Sequence, residues 1–326
     1  MIVPNFWAEA RRQYRRAGRQ VTVRRFGWSM SSAADAMAMA ELRAEEALTR
    51  VVSGEKLARR EPKVPYNGAA GVPIREEDLE RHGDDVVTRN AYGARCLNSP
   101  SALFADVDFE PPSELRPIVA VFAALALIGT SIGIAQGSWR LAFGLLVASL
   151  VFAAPVARLT RRLGVAVQGG AKALARRRLV AFLASRPEWN VRVYRTPRGL
   201  RLLATHRPYT TDDPEVGLFF KAIRVDPIYV RMCLNQHCFR ARLTAKPWRI
   251  GIASHMRPRP GVWPVAPEHA SIRASWIAEY EARAAQFSSC RYVESLGSGA
   301  IDPRVQSVVE LHDRESRCHD ATATVA

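Results

Sequence analysis

Two apolar segments without a charged residue, 117–135 (PIVAVFAALALIGTSIGIA) and 141–157 (LAFGLLVASLVFAAPVA), constrain this chain more than anything else in it. A helix needs ~20 apolar residues to cross the hydrocarbon of a bilayer, and both segments lie near the lower end of that requirement. The link between them, QGSWR, offers Gly137 for a turn and Trp139 for a membrane interface. Gly129 and Gly133 are four apart in the first segment, as are Gly144 and Ala148 in the second. That spacing lets helices approach closely in lipid. A buried helical pair of a large soluble protein would also be apolar, but length and lack of charge favour a two-helix transmembrane hairpin.

The flanks orient it. Arg158, Arg161, Arg162, Lys172, Arg176, Arg177 and Arg178 follow the second segment with no acidic residue among them, whereas the link holds only Arg140. Positive charge stays on the cytoplasmic side, and a hairpin returns the chain to the side it left. The expectation is a multi-pass protein of the cytoplasmic (inner) membrane with both termini cytoplasmic. The net charge of +16 over 326 residues and the pI near 10.4 suit anionic lipid, nucleotide phosphates or nucleic acid without choosing among them. Five cysteines, scattered and odd in number, read as reduced. The basic N-terminus has no apolar core or cleavage site, so no signal peptide is read there.

Taken in order, residues 5–17 suggest a helix with Phe6, Trp7, Ala10 and Tyr14 on one face, and 20–28 a strand. An Ala-rich helix over 32–52 follows, its buried face carrying Met37, Ala40, Ala44, Leu48 and Val51. Residues 59–71 read as a loop, 75–84 as a short charged helix or turn, and 85–98 and 102–109 as two strands, joined at Ser99-Pro100 and antiparallel. Beyond the apolar pair, 170–185 is a basic amphipathic helix suited to the membrane surface. Residues 190–195 and 200–206 form a hairpin around Thr196-Pro197-Arg198-Gly199. Asp213-Pro214, Asp226-Pro227 and Asp302-Pro303 each read as an N-cap followed by a first helical proline. Residues 239–253 read as strand broken near Pro247, 270–287 as a helix, and the end as a polar tail.

Three clusters carry chemistry. On a strand, alternate residues share a face, so Asp106, Asp108 and Glu110 project together. Aligned carboxylates repel one another unless a cation or a basic partner sits among them. Hard oxygen ligands of this kind suit Mg²⁺ or Mn²⁺; pairing with the chain's many arginines is the alternative. Second, Arg240, Arg242 and Thr244 share a strand face, with Lys246 and Arg249 beyond them and Trp248 beside. That pattern suits phosphate or single-stranded nucleic acid, or a strand pairing with the carboxylates. Third, Cys233, His237 and Cys238 would need a second pair from Cys290, His312, Cys318 or His319 to hold zinc. Buried structural cysteines are expected there instead, and zinc is not.

The order of features resembles the catalytic core of archaeo-eukaryotic primases in their primase-polymerase form. An apolar-Asp-apolar-Asp strand (104–108), a hairpin with a small residue (196–201) and a later apolar-Asp (Val225-Asp226) follow one another. The resemblance implies two metals held by Asp106, Asp108 and Asp226, with a hairpin (Arg195, Arg198, Arg201) contacting nucleotide phosphates. Where that family has its hairpin histidine this chain has Arg201, and the nearest histidine is His206. Separately, RREPKVPYNGAAGVPIREE and CFRARLTAKPWRIG resemble segments of an uncharacterised bacterial family with two membrane spans.

The expected architecture is therefore α+β. A cytoplasmic mixed or antiparallel sheet with packed helices (1–116 and 158–326) is interrupted by a transmembrane hairpin (117–157, with spans at 117–135 and 141–157). The expected function is a membrane-tethered domain binding nucleotide or nucleic acid through a carboxylate-held Mg²⁺ or Mn²⁺. The alternative is a non-enzymatic membrane scaffold whose basic faces bind anionic lipid or a protein partner.

Overall fold

The computed structural model describes residues 1, 3–16, 19–61, 72–109, 115–259, 261 and 263–326. Glu110 and most of the loop read at 59–71 (residues 62–71) lie outside them. The chain divides into two units: Met1–Val107 with Leu183–Ala326, and Asp108–Phe182.

The first unit is α+β and largely antiparallel. It opens with a long hairpin, β1 (Phe6–Arg16) and β2 (Arg19–Ser29), paired in continuous register from Phe6↔Ser29 to Arg16↔Arg19. The helix expected at 5–17 is thus a strand. Ala10, Arg12 and Tyr14 alternate with exposed Arg11, Gln13 and Arg15, and this period of two, once β2 supplies hydrogen bonds, outweighs the helical spacing of Phe6, Ala10 and Tyr14. α1 (Ala33–Val52) starts where Ser32 accepts from the Asp35 N–H at 3.0 Å.

α1 lies against this hairpin at very short range. A Cβ at Gly27 would stand 2.1 Å from the Ala36 carbonyl oxygen and 2.3 Å from the Ala40 nitrogen, so only glycine fits. Ala36, Ala40, Ala44, Ala47, Leu48 and Val51 are buried, but Met37 is exposed. The expected face is thus buried at Ala40, Ala44, Leu48 and Val51, and at the close approach of Gly27 it is Ala36 that faces inward in place of Met37.

One four-stranded sheet has the order β3-β4-β5-β9, from β3 (Glu77–His82), β4 (Asp85–Arg89), β5 (Arg95–Ser99) and β9 (Phe239–Arg242). The short helix or turn expected at 75–84 is mainly strand β3, turning at Gly83 (φ +61°). The single strand expected over 85–98 folds into a hairpin at Asn90. The Asn90 Oδ1 accepts from the Tyr92 and Ala94 N–H groups (3.2 and 3.0 Å), and Gly93 (φ +97°) admits the Trp276 ring where a Cβ would be 2.2 Å away.

The other sheet has the order β11-β7-β8-β6, from β6 (Phe104–Asp108), β7 (Asn190–Thr196), β8 (Gly199–Ala204) and β11 (Arg291–Gly297). The two strands expected at 85–98 and 102–109 therefore do not pair with each other. The strand at 104–108 joins the 190–206 hairpin across the intervening sequence. Trp189, fully buried, gathers His206, Tyr209 and Phe219 around it at ring separations of 4.7–5.2 Å.

The three Asp-Pro pairs all start helices: α5 (Pro214–Ile223), α6 (Pro227–Gln236) and α8 (Pro303–Ser316). α7 (Ala270–Ala284) buries Trp276, Tyr280 and Ala284; it stops short of Phe287, which lies in β10 (Phe287–Ser288). The end of the chain is not a free polar tail. β12 (Thr324–Val325) pairs in parallel with β10, and Ala326 is buried. Strand structure in 239–253 ends at Arg242, and Pro247–Arg249 make a 3₁₀ turn.

The second unit contains α2 (Leu115–Ala135) and α3 (Trp139–Val167), each long and apolar enough to cross a membrane. They pack as a hairpin. A Cβ at Gly133 would lie 2.4 Å from the Ala142 Cα, and one at Gly129 would lie 2.9 Å from the Leu145 Cβ. On α3 the contact continues through buried Ser149, Ala153 and Ala157. Gly144 is exposed with no atom near it, so the expected small-residue pair on α3 is not the seam. Thr130 and Ser149 satisfy their hydroxyls on carbonyls one turn back (2.7 Å each), as polar groups in an apolar helix must. α3 also runs past Ala157 to Val167 and carries Arg158, Arg161 and Arg162 as exposed residues; α4 (Gly170–Leu183) follows.

Candidate functional site

β6 places Asp106 half-exposed beside fully buried Phe104 and Ala105, and Asp108 exposed at its end. What faces Asp106 is Arg201 of β8, a guanidinium with only 1% of its side chain exposed. Its Nε donates to Asp106 Oδ1 at 3.1 Å and its Nη1 to the Arg242 carbonyl at 2.8 Å. The same Nη1 lies 3.4 Å from His312 Nε2. Burial alone would lower the Arg201 pKa, but the Asp106 carboxylate more than reverses this and holds the guanidinium charged.

His312, fully buried on α8, sets its Nδ1 3.0 Å from Asp313 Oδ1. A carboxylate at that position fixes Nδ1 as the donor and leaves Nε2 to accept from Arg201. Burial works against the charged imidazole, yet Asp313 and the Cys290 thiol, 3.9 Å from Nε2, bring its pKa above the usual value. Asp313 also accepts from the Tyr194 hydroxyl (2.8 Å), Arg192 Nη2 (2.5 Å) and His319 Nε2 (2.8 Å). Burial would raise its pKa, but His312 first, and then His319 and Tyr194, hold the carboxyl well below the usual carboxylate range.

Asp226 is drawn to the same place through its backbone. Its N–H lies 3.4 Å from the Asp106 carbonyl oxygen, while its side chain caps α6 on the Ile228 N–H at 3.0 Å. Tyr229, one turn into α6, accepts from the Arg240 N–H (3.2 Å) and lies 3.0 Å from both the Phe104 and Arg240 carbonyls. Its hydroxyl thereby ties β6 to β9.

The basic residues read from the sequence separate into two groups. Arg240 turns inward onto the buried Glu76 carboxylate, its Nη2 donating to both oxygens at 3.0 and 2.8 Å, and Glu76 also accepts from Thr88 at 2.7 Å. Arg242 is half-buried and offers its carbonyl to Arg201. Arg195 and Arg198 are exposed at the β7–β8 turn, Lys246 stands 5.3 Å over the Trp248 ring, and Arg249 is half-buried in the 3₁₀ turn. Cys233 and Cys238 are fully buried, but the His237 side chain between them is 65% exposed, so the three do not converge.

Asp106, Arg201 and Asp226 thus meet. Tyr194, Arg192, Cys290 and the His312-Asp313 pair, which complete the network, were not singled out together from the sequence. One signal was available: Val305, Val308, Val309, His312 and Ser316 follow helical spacing from the Asp302 cap, which puts His312 on the apolar face.

Comparison with protein families, curated proteins and solved structures returns no match for this chain.

Arg201→Met is expected to cost about 3 kcal/mol, the usual scale for removing one partner of a buried ion pair. The double variant with Asp106→Ala should recover part of that loss, because the stranded carboxylate is gone; urea midpoints of the detergent-solubilised chain measure both.

His206 provides a pH test. Its Nδ1 accepts from the Asn190 N–H (3.2 Å) and its Nε2 faces the Tyr209 hydroxyl (2.7 Å), while burial, and Arg207 beside it, lower its pKa from 6.5. A depressed folded pKa means that the unfolded chain takes up the proton first as pH falls. The stability His206 supplies is complete above about pH 6.5 and is lost as pH falls through the lower folded value. The urea midpoint should fall between about pH 7.5 and 5, and fall less in His206→Gln.

Proposed function

We propose that this chain is a membrane-anchored binding module. In this reading α2 and α3 cross the inner membrane, the rest of the chain is cytoplasmic, and the arginines at the end of α3 engage anionic lipid headgroups. One observation carries it. On a single continuous helix, the apolar exterior formed by Phe143, Val147, Leu150, Val151 and Phe152 passes directly into exposed Arg158, Arg161 and Arg162. A basic segment next to a span attracts anionic lipid by about 1 kcal/mol per charge near the surface. It also keeps that end of the span cytoplasmic.

In reconstituted protein, phosphatidylglycerol added to phosphatidylcholine should raise the thermal midpoint in a salt-sensitive manner. Replacing Arg158, Arg161 and Arg162 with Gln should remove most of the rise. All five native cysteines are buried, so cysteines introduced at Gln136 and Ala321 report sidedness in the same preparation. An equal rise in the variant, or labelling of position 321 from outside the cell, would overturn the proposal.

A second reading is favoured by the backbone contact of the Asp226 N–H with the Asp106 carbonyl, 3.4 Å. Two of the three aspartates that the primase resemblance assigns to metal are therefore neighbours through the backbone. That reading has the site binding Mg²⁺ or Mn²⁺ with a nucleotide or nucleic-acid phosphate, the exposed Arg195 and Arg198 meeting the phosphate. The Arg201 guanidinium already holds the Asp106 carboxylate, which is why the lipid-binding reading stands first. If nucleoside triphosphate and Mn²⁺ bind, Asp106→Ala with Asp108→Ala should abolish that binding; unchanged binding would remove the assignment.

A further inference from the structure

α8 ends in a way that brings three different metal-ligating groups together. Arg317 takes the left-handed conformation (φ +52°) and turns the chain back over the last helical turn. The Cys318 N–H then reaches the Asp313 carbonyl at 3.3 Å, and the Tyr292 N–H of β11 holds the Cys318 carbonyl at 3.1 Å. His319 follows, its ring 5.2 Å from that of Tyr292 and its Nε2 2.8 Å from Asp313 Oδ2. As a result one carboxylate oxygen of Asp313, the Cys318 sulfur and one nitrogen of His319 all lie within 4.8 Å of one another.

We propose that Asp313, Cys318 and His319 bind a zinc-class divalent cation, with a fourth position open to solvent. The donor set of thiolate, imidazole and carboxylate is the one that borderline-soft Zn²⁺ takes, and three protein ligands plus water is a known coordination for it.

Four further features support the site. The Asp313 oxygens are already oriented by Tyr194, His312 and Arg192, the outer-shell support that metal-ligating carboxylates use. The His319 side chain is 56% exposed, which provides an entry path. Fully buried Ser316 places its hydroxyl beside the thiols of Cys290 and Cys318, so this corner of the fold is polar. Finally, the donors can rearrange: the cation displaces the proton of the Cys318 thiol to solvent and the His319 donor from Asp313. A dication then meets one thiolate and one carboxylate, and Arg192 stays on Asp313.

The bound ion would join the turn after α8 to the helix itself, and so secure the segment leading to β12. It is a different site from the one sought around Cys233 and Cys238.

The test is titration of the purified full-length chain with Zn²⁺ against a chromophoric chelator, and with Co²⁺ as a spectroscopic substitute. One ion per chain and a near-ultraviolet thiolate-to-cobalt charge-transfer band are expected. Cys318→Ser should remove the band. His319→Ala should lose more than the roughly 10- to 100-fold in affinity that an outer-shell partner is worth. His237→Ala should bind as the native chain does. Failure to bind one ion per chain, a cobalt complex without the thiolate band, or equal affinity in His319→Ala would each overturn the proposal.

Discussion

Arg201 is the interaction on which the first unit depends. A guanidinium carries five N–H donors in a fixed plane and cannot give up its charge. Buried, it must find acceptors or destabilise the fold. Here it takes one from each of three neighbours: Asp106 on β6, the Arg242 carbonyl on β9 and His312 on α8. The two four-stranded sheets and a helix therefore converge on one side chain of β8, and Tyr229 repeats the link between β6 and β9 from α6. A lysine could not do this, because its ammonium lacks the fork that reaches three directions in one plane.

The same physics explains why so basic a chain presents less free positive charge than its composition suggests. Arg240 is spent on Glu76, Arg273 on Glu77, Arg89 on Glu281 and Arg192 on Asp313. Each joins elements distant in sequence, and each is shielded from salt by its burial. Exposed arginines at the β7–β8 turn and along the end of α3 are among the charges left on the surface. A surface argument built on net charge alone would have counted the internal cross-links as binding residues, as happened with Arg201 and Arg240.

Several elements were legible because their signals are local. Asp213, Asp226 and Asp302 mark helix starts through a side chain bonding to a backbone N–H two residues on. The apolar pair declared itself by composition, and the 190–206 hairpin by its turn. Errors fell where partners are distant. Residues 5–17 satisfy two periodicities at once, and only β2 decides between them. Residues 85–98 conceal a turn that depends on Asn90 bonding its own backbone and on Trp276 filling the space that Gly93 leaves. Of the candidate site, Asp106, Arg201 and Asp226 were each named, but as metal and phosphate ligands; that Asp106 and Arg201 are one another's partners is a fact of three-dimensional pairing.

By itself the sequence determined what nearest-neighbour chemistry can determine. It set the two apolar helices, the capped helix starts, the α+β class and the run of arginines that follows the second apolar segment. Tertiary structure decided which strands share a sheet, which arginines go inside, and that Asp313, Cys318 and His319 come together at a left-handed turn. The reason is physical. Burial and pairing are properties of groups that meet across long stretches of chain, and the guanidinium of Arg201 carries no mark in the sequence that distinguishes it from the exposed guanidinium of Arg198 three residues earlier.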